Sequence, residues 1–368
     1  MTLRDQMNRI SQRCTVNRQR AAKLLSTATG LVLTIAISFA IVILLILVLS
    51  DEPRNAIYYF FIGPFTNAYY LGNMLNQSIG LMFTGLGIAV AFKSSTFNLG
   101  GEGQAYSGAL VATVILLAMP RMPGIIGGPA ALIGAVAVGA FVAGLSGFFK
   151  MRWNTDQLIS SFLVSSAVIL IVNYLVTGPL DDPTNSMLTT SRIAQQFQLL
   201  RIFKPSKLDI SIFFAVAAAI GTYFFMQRSH WGYEMRMCGI NREFSKYAGI
   251  NVGKYLLVPM AISGGFHGLA GGIVVMGTQY RCLKGVTAGL GWNGIAVALI
   301  AKNNPIAVIP AALFFAYLDA GAKAAMLHAD VTFELAKIAQ AVIFFLVTAQ
   351  ALYGLFDSKK KKMKKVAK

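Results

Sequence analysis

Three long stretches of this chain contain no Asp, Glu, Lys or Arg: Leu24 to Ser50, Asn55 to Phe92 and Met122 to Phe149. A helix needs about 20 apolar residues to cross the hydrocarbon core of a bilayer. Within that core only helices and closed barrels satisfy their own backbone polar groups. The first stretch far exceeds the roughly 7–15 apolar residues of a cleavable signal core, so it reads as a span. Only 12% of the 368 residues are charged, about half the fraction of a soluble domain. The chain is therefore expected to be an all-α, polytopic transmembrane helical bundle.

Hydrophobic segments suggest about ten spans, near residues 28–49, 71–92, 99–119, 124–149, 157–178, 208–227, 255–278, 286–301, 305–326 and 336–356. A transmembrane domain over 28–356 would then lie between a basic N-terminal segment, 1–27, and a Lys-rich tail, 357–368. The net charge of +18 is concentrated at the two ends, in Arg4, Arg9, Arg13, Arg18, Arg20 and Lys23 and in the run from Lys359 to Lys368. Such flanking charge holds cytoplasmic ends in place and attracts anionic lipid. Both termini are expected in the cytoplasm, with Lys93, Lys150, Arg152, the segment from Arg228 to Lys254, and Lys302 on the same side. The loop over 179–207 runs against this pattern, because Arg192, Arg201, Lys204 and Lys207 fall on the predicted outside. No aromatic-basic platform accompanies the charge, which argues against nucleic acid as a partner.

Glycine is abundant within the spans. Gly264, Gly265, Gly268, Gly271 and Gly272 on the seventh are expected to allow close helix packing. The glycines around Glu102 are expected to mark a broken helix. Gly87-Ile88-Ala89-Val90-Ala91 recurs as Gly294-Ile295-Ala296-Val297-Ala298, as two related halves would produce. Cys14, Cys238 and Cys282 form no spaced pair, so neither a disulfide framework nor a metal site is expected. His267 is expected to be a packed helix residue.

The stretch most informative for chemistry is Phe97-Asn98-Leu99-Gly100-Gly101-Glu102-Gly103-Gln104. A carboxylate at mid-depth costs roughly 3 kcal/mol or more unless paired, hydrated or neutral. Two compatible roles are open to Glu102, capping a helix N-terminus and direct contact with a solute. Neither a complete phosphate-cradling loop nor a His-Glu-x-x-His or Gly-x-Ser-x-Gly motif is present. Gly249 to Tyr255 has one spacer too few for the phosphate loop and ends in Tyr. The chain is thus expected to be no enzyme and to bind no cofactor.

Phe97 to Gln104 resembles the signature of inner-membrane permeases of ATP-binding-cassette importers for nucleosides and simple sugars, the nucleoside branch in particular. Gly291-Trp292-Asn293-Gly294 through Leu299, followed by Asn303-Asn304-Pro305, is similar to that family's second signature. Gly239-Ile240-Asn241 and Ala248-Gly249-Ile250 resemble its cytoplasmic loop, and Asn173-Tyr174 with Gly178-Pro179-Leu180 is also similar. The resemblance spans about residues 70–350. The chain departs from the family at Asp156-Gln157, Ser165-Ser166 and Phe244-Ser245.

The resemblance implies a multi-pass protein of the bacterial inner membrane, working by alternating access. It implies a second, non-identical permease subunit, two ATPase subunits that use the ATP, and a solute-binding protein or lipoprotein. A nucleoside is the expected solute, with riboflavin or a simple sugar as the alternative. Asn98, Glu102, Gln104, Asn173, Tyr174 and Asn293 are the candidate pathway residues, suited to hydroxyl-rich faces. Gly239, Asn241, Phe244, Ser245 and Gly249, within the loop over 228–254, are the candidate ATPase-coupling residues. An ion-coupled carrier is the rival class. It would rely on Glu102, Asp319 and Glu334, although Asp319 can pair with Lys323 at i, i+4. A lipid-modifying enzyme is a further possibility that the missing motifs disfavour.

Overall fold

The computed structural model describes residues 36, 37, 39–48 and 50–332, together with 338, 341, 342 and 345. Two compact units divide the chain, Met1–Ile57 with Ala325–Lys368, and Tyr58–Ala324. In the first, α1 (Phe39–Val48) is a short apolar helix, and the Asp330 carboxylate accepts a 2.5 Å hydrogen bond from the Ser50 hydroxyl. Both basic terminal segments and Glu334 lie outside the described residues, as do most of the tenth predicted span and part of the first.

The remaining helices are α2 (Pro53–Phe61), α3 (Ala68–Lys93), α4 (Gly101–Ala118), α5 (Gly124–Trp153), α6 (Gln157–Thr177), α7 (Ser211–Arg228), α8 (His230–Ile240), α9 (Arg242–Tyr247), α10 (Lys254–Val274), α11 (Leu290–Ile300) and α12 (Pro305–His328). A two-stranded antiparallel ribbon, β1 (Arg201–Phe203) with β2 (Leu208–Asp209), precedes α7. Local sequence sets the boundaries. The Asn67 side chain accepts from the Tyr70 amide and starts α3, and Asp156 does the same for α6 through the Leu158 and Ile159 amides. Asn154, with φ of 53°, ends α5 in the left-handed conformation that Asn tolerates.

Among the described residues, six helices are long and apolar enough to cross a membrane: α3, α5, α6, α7, α10 with the π-helical turn that extends it to Gln279, and α12. The expected count of about ten spans is therefore not confirmed among the described residues. The segment predicted as a span over 286–301 is a loop followed by the 11-residue α11. At 1.5 Å per residue α11 reaches about 16 Å, roughly half the hydrocarbon thickness. α4 has 18 residues but begins with Glu102 and Gln104, which lowers its apolar character.

α10 forms the centre of the second unit, packing on α3, α4 and α5. Its glycines make this possible, as the small residues predicted. A Cβ at Gly268 would lie 2.0 Å from the Ala135 carbonyl oxygen, and one at Gly271 only 1.8 Å from that of Ala105. The glycines around Glu102 differ from expectation. Gly101 and Gly103 are helical, and the chain breaks earlier, over 94–100. Close approach explains both glycines: a Cβ at Gly101 would strike the His267 ring, and one at Gly103 the Ser165 carbonyl.

α11 runs parallel to α3, since Gly80 faces Leu290, Thr84 faces Gly294 and Gly85 faces Val297. The two Gly-Ile-Ala-Val-Ala copies therefore lie on adjacent helices that end in Lys93 and, two residues past α11, Lys302. Gly239 of α8 abuts the Lys93 carbonyl, Gly253 lies against Met151, and Gln157 donates to the Leu256 carbonyl at 3.1 Å. One end of the unit thus gathers Lys93, Lys150, Arg152 and the segment from Arg228 to Lys254. At the opposite end the segment over 179–209 folds against the outlet of α10, with Ile193 donating to Tyr280 and Leu199 to Met276. The Arg192 and Arg201 guanidinium groups lie 5.2 and 5.5 Å from the centre of the Tyr280 ring.

Candidate functional site

The broken connection from α3 to α4 passes through the interior. Thr96 and Asn98 in it are fully buried. Asn98 and Gln104 exchange two side-chain hydrogen bonds of 2.8 Å, and Asn98 also donates to Ser263 of α10 at 2.9 Å and accepts from the Gly100 amide at 3.0 Å. Helix α4 starts here, and its first amides need acceptors from elsewhere. Two serines one turn apart on α6 supply them or their neighbours: Ser161 accepts from the Leu99 amide at 3.0 Å and Ser165 from the Gly103 amide at 2.9 Å. His267 fills the space beside Gly87 and Gly101, with Nδ1 2.7 Å from the Ser263 carbonyl oxygen. It is a packed helix residue, as the sequence suggests.

Glu102 stands in the first turn of α4, half-buried, and reaches the start of α11. Oε1 accepts from the Thr287 hydroxyl at 2.5 Å and from the Gly289 amide at 2.9 Å, while Oε2 accepts from the Gly291 amide at 2.9 Å. One carboxylate thereby serves the positive ends of two helices. The amides it engages belong to α11 rather than to the glycines beside it in sequence. Gly289 has φ of 83°, the left-handed turn that opens α11. Gly291 packs directly on the backbone of Gly101 and Glu102, where a Cβ would come within 2.3 Å.

The other candidate pathway residues lie around this junction to different degrees. Asn293, half-buried, is one turn into α11. Asn173 on α6 accepts from the Tyr106 hydroxyl at 3.0 Å, and that hydroxyl accepts from the Gly285 amide at 3.0 Å, tying α6 and α4 to the loop before α11. Tyr174 is 69% exposed and is not brought into the cluster. Asn98 and Gln104 are clasped to each other below the surface. Sequence alone did not single out Ser161, Ser263, Tyr106 or Thr287. The four-residue spacing of Ser161 and Ser165 is the one signal that marks a polar stripe on α6.

The candidate coupling residues form the corner between α8 and α9. Asn241 caps α9 by accepting from the Phe244 amide at 3.0 Å. Buried Ser245 donates to the Asn241 carbonyl at 2.9 Å. Gly249, with φ of 78°, closes the helix. Burial pushes the Cys238 thiol up, against a hydrogen bond from Ser245 that pulls it down. Phe244 and Tyr247 point outward, Tyr247 being 91% exposed. The corner is joined to the broken connection: Ser95 donates to the Gly239 carbonyl at 2.7 Å and its own carbonyl accepts from Arg242 at 2.7 Å. Two residues, Thr96 and Phe97, separate Ser95 from the Asn98 clasp.

Residues 70–348 match the family described as branched-chain amino acid transport system / permease component. The guanosine ABC transporter permease protein NupP of Bacillus subtilis is 32% identical over 305 residues, covering 82% of this chain and 87% of that protein. The probable riboflavin import permease protein RfuC of Treponema pallidum is 29% identical over 330 residues, covering 89% and 86%. A glucose ABC transporter permease protein of Haloferax volcanii is 28% identical, covering 87% of each chain.

Proposed function

This chain belongs to the branched-chain amino acid transport system / permease component family, and from that premise we propose that it carries a nucleoside through the bacterial inner membrane by alternating access. At the coarser level it is a multi-pass membrane protein and a permease subunit of an ATP-binding-cassette importer. The nucleoside assignment is supported by similarity to the guanosine permease and to a nucleoside permease of Lactococcus lactis, 25% identical over 83% of this chain. A riboflavin solute is the second reading, favoured by the similarity to the spirochaete permease.

Separate ATPase subunits would use the ATP, and a second permease subunit and a solute-binding protein would complete the importer. The Lys and Arg residues of the basic end support a cytoplasmic position for it. There α8 and α9 present Phe244 and Tyr247 to the ATPase. Closure of the ATPases would displace this corner. Ser95, held by Gly239 and Arg242, would transmit the displacement to the broken connection, and the Asn98 clasp would pass it to α4. Glu102 would carry α11 along, since it holds the α11 amides. Asn173 and Asn293 are the polar side chains best placed to meet solute, while Asn98 and Gln104 set the position of Glu102.

The single observation that carries this mechanism is the Glu102 clasp. A carboxylate that accepts three hydrogen bonds is structural rather than a free proton carrier. Asp319 likewise pairs with Lys323 at 2.5 Å, which leaves the ion-coupled alternative without support among the described residues. The test is uptake into vesicles that carry the whole complex, using radiolabelled adenosine, guanosine, riboflavin and ribose. Uptake of a nucleoside only with hydrolysable ATP is expected. Uptake without ATP would overturn the importer mechanism.

A further inference from the structure

We propose that Phe162 and Trp292 form an aromatic shelf that stacks the planar heterocycle of the solute during passage, and so determine specificity for nucleoside-like or flavin-like solutes over simple sugars. Phe162 lies on α6 and Trp292 on α11, and their ring centroids are 6.0 Å apart with planes at 57°. Both are large and open, at 45% and 44% exposure. Trp292 stands about 12 Å from the inner end of α11 at 1.5 Å per residue, and so lies within the membrane.

An open aromatic pair at that depth faces either lipid or a solute path. Its surroundings decide between them. Trp292 follows Gly291, whose amide is held by half-buried Glu102. Asn293 follows it, and its side chain makes no hydrogen bond to another described residue. Phe162 shares a helical stripe with Ser166 and Asn173, at the i, i+4 and i+11 positions. The Asn293 amide, with no partner among the described residues, would be costly on a lipid face. Beside a water-filled path it is not. Such a strip combines ring faces with acceptors and donors, the combination that binds a base on its plane and its edge. A sugar lacks the extended plane and gains little from the two rings.

The proposal rests on the importer reading, and the experiment separates the two. The complete complex is reconstituted with wild-type permease, Trp292→Ala, Trp292→Phe and Phe162→Ala, each checked for equal incorporation and for basal ATP hydrolysis. Uptake of guanosine, riboflavin and ribose is then measured over a range of concentrations. Trp292→Ala is expected to raise the KM for the heterocyclic solute by about tenfold, within the range for loss of one base–aromatic stack. Vmax should change far less, Trp292→Phe should restore most of the affinity, and Phe162→Ala should raise KM to a smaller degree. A loss of Vmax alone, or equal losses for Trp292→Ala and Trp292→Phe, would show packing or subunit contact and overturn the shelf while leaving the importer intact. Wild-type uptake of ribose alone would also overturn it and keep the class. No ATP-driven uptake of any of the three would overturn the importer reading and the shelf with it. With Trp153 and Trp231 replaced by Phe, quenching of Trp292 fluorescence by brominated lipid but not by guanosine would identify lipid as the occupant and reject the proposal.

Discussion

Glu102 shows how a costly residue becomes a structural one. Its two oxygens meet one hydroxyl and two backbone amides, all from the segment that starts α11. Glu102→Gln keeps one acceptor oxygen but turns an NH2 group toward an amide donor. A buried donor without an acceptor costs about 1–3 kcal/mol. The variant is expected to lower both Vmax of uptake and the unfolding temperature in detergent, and Glu102→Ala to lower both further. Gly271 makes a second residue-scale test. A Cβ there would sit 1.8 Å from the Ala105 carbonyl oxygen, and backbone cannot move aside as a flexible side chain can. Gly271→Ala should cost at least the ~1–3 kcal/mol of an overpacked core, read as a lower thermal midpoint. The thiols of Cys238 and Cys282 are both buried, and burial pushes that of Cys282 up to about 12. In a Cys14→Ser background, maleimide should label neither until the protein is unfolded.

At the scale of elements, helix ends carry most of the specific polar contacts. Asp209 is buried and starts α7 by accepting from the Ser211 amide at 2.9 Å and its hydroxyl at 2.5 Å. Burial raises its pKa above the ordinary carboxylate value, more than those bonds lower it. In acid, below the ordinary value, folded and unfolded forms are both protonated and nothing is lost. As pH rises the unfolded form ionises first, so stability falls until the folded form ionises as well. Asp209→Asn keeps an acceptor oxygen and should flatten this decline, measured as thermal midpoints in detergent between acid and neutral pH. α9 depends instead on Gly249, whose φ of 78° disfavours any side chain.

At the scale of the molecule, a continuous set of contacts joins the α8–α9 corner to the start of α11, through Ser95, the Asn98 clasp and Glu102. Gly239 is a tight point on this route, because a Cβ would lie 2.2 Å from the Lys93 carbonyl oxygen. Gly239→Ala should move α8 away from the end of α3. The expected outcome is continued ATP hydrolysis with much reduced uptake per ATP, measured on the reconstituted complex. Unchanged uptake per ATP would place the coupling route elsewhere.

The positions of the helices were legible in the sequence, because absence of charge over some 20 residues leaves few structures other than a membrane span. The predicted segment 71–92 is α3, and 157–178 is α6, each within a few residues. The close packing of the seventh span followed from its glycines. Hydrophobicity could not separate a full crossing from the 11-residue α11 that follows an irregular loop, since both read as apolar. Nor could it locate the break over 94–100, which is tolerated because α6 and α10 supply acceptors from more than 60 residues away. Asn98, Glu102 and Gln104 stood out as polar residues in apolar surroundings. Their distant partners, Ser263, Thr287 and the amides of Gly289 and Gly291, were decided by tertiary structure alone, because hydrogen bonds between distant segments leave no periodic trace in the chain.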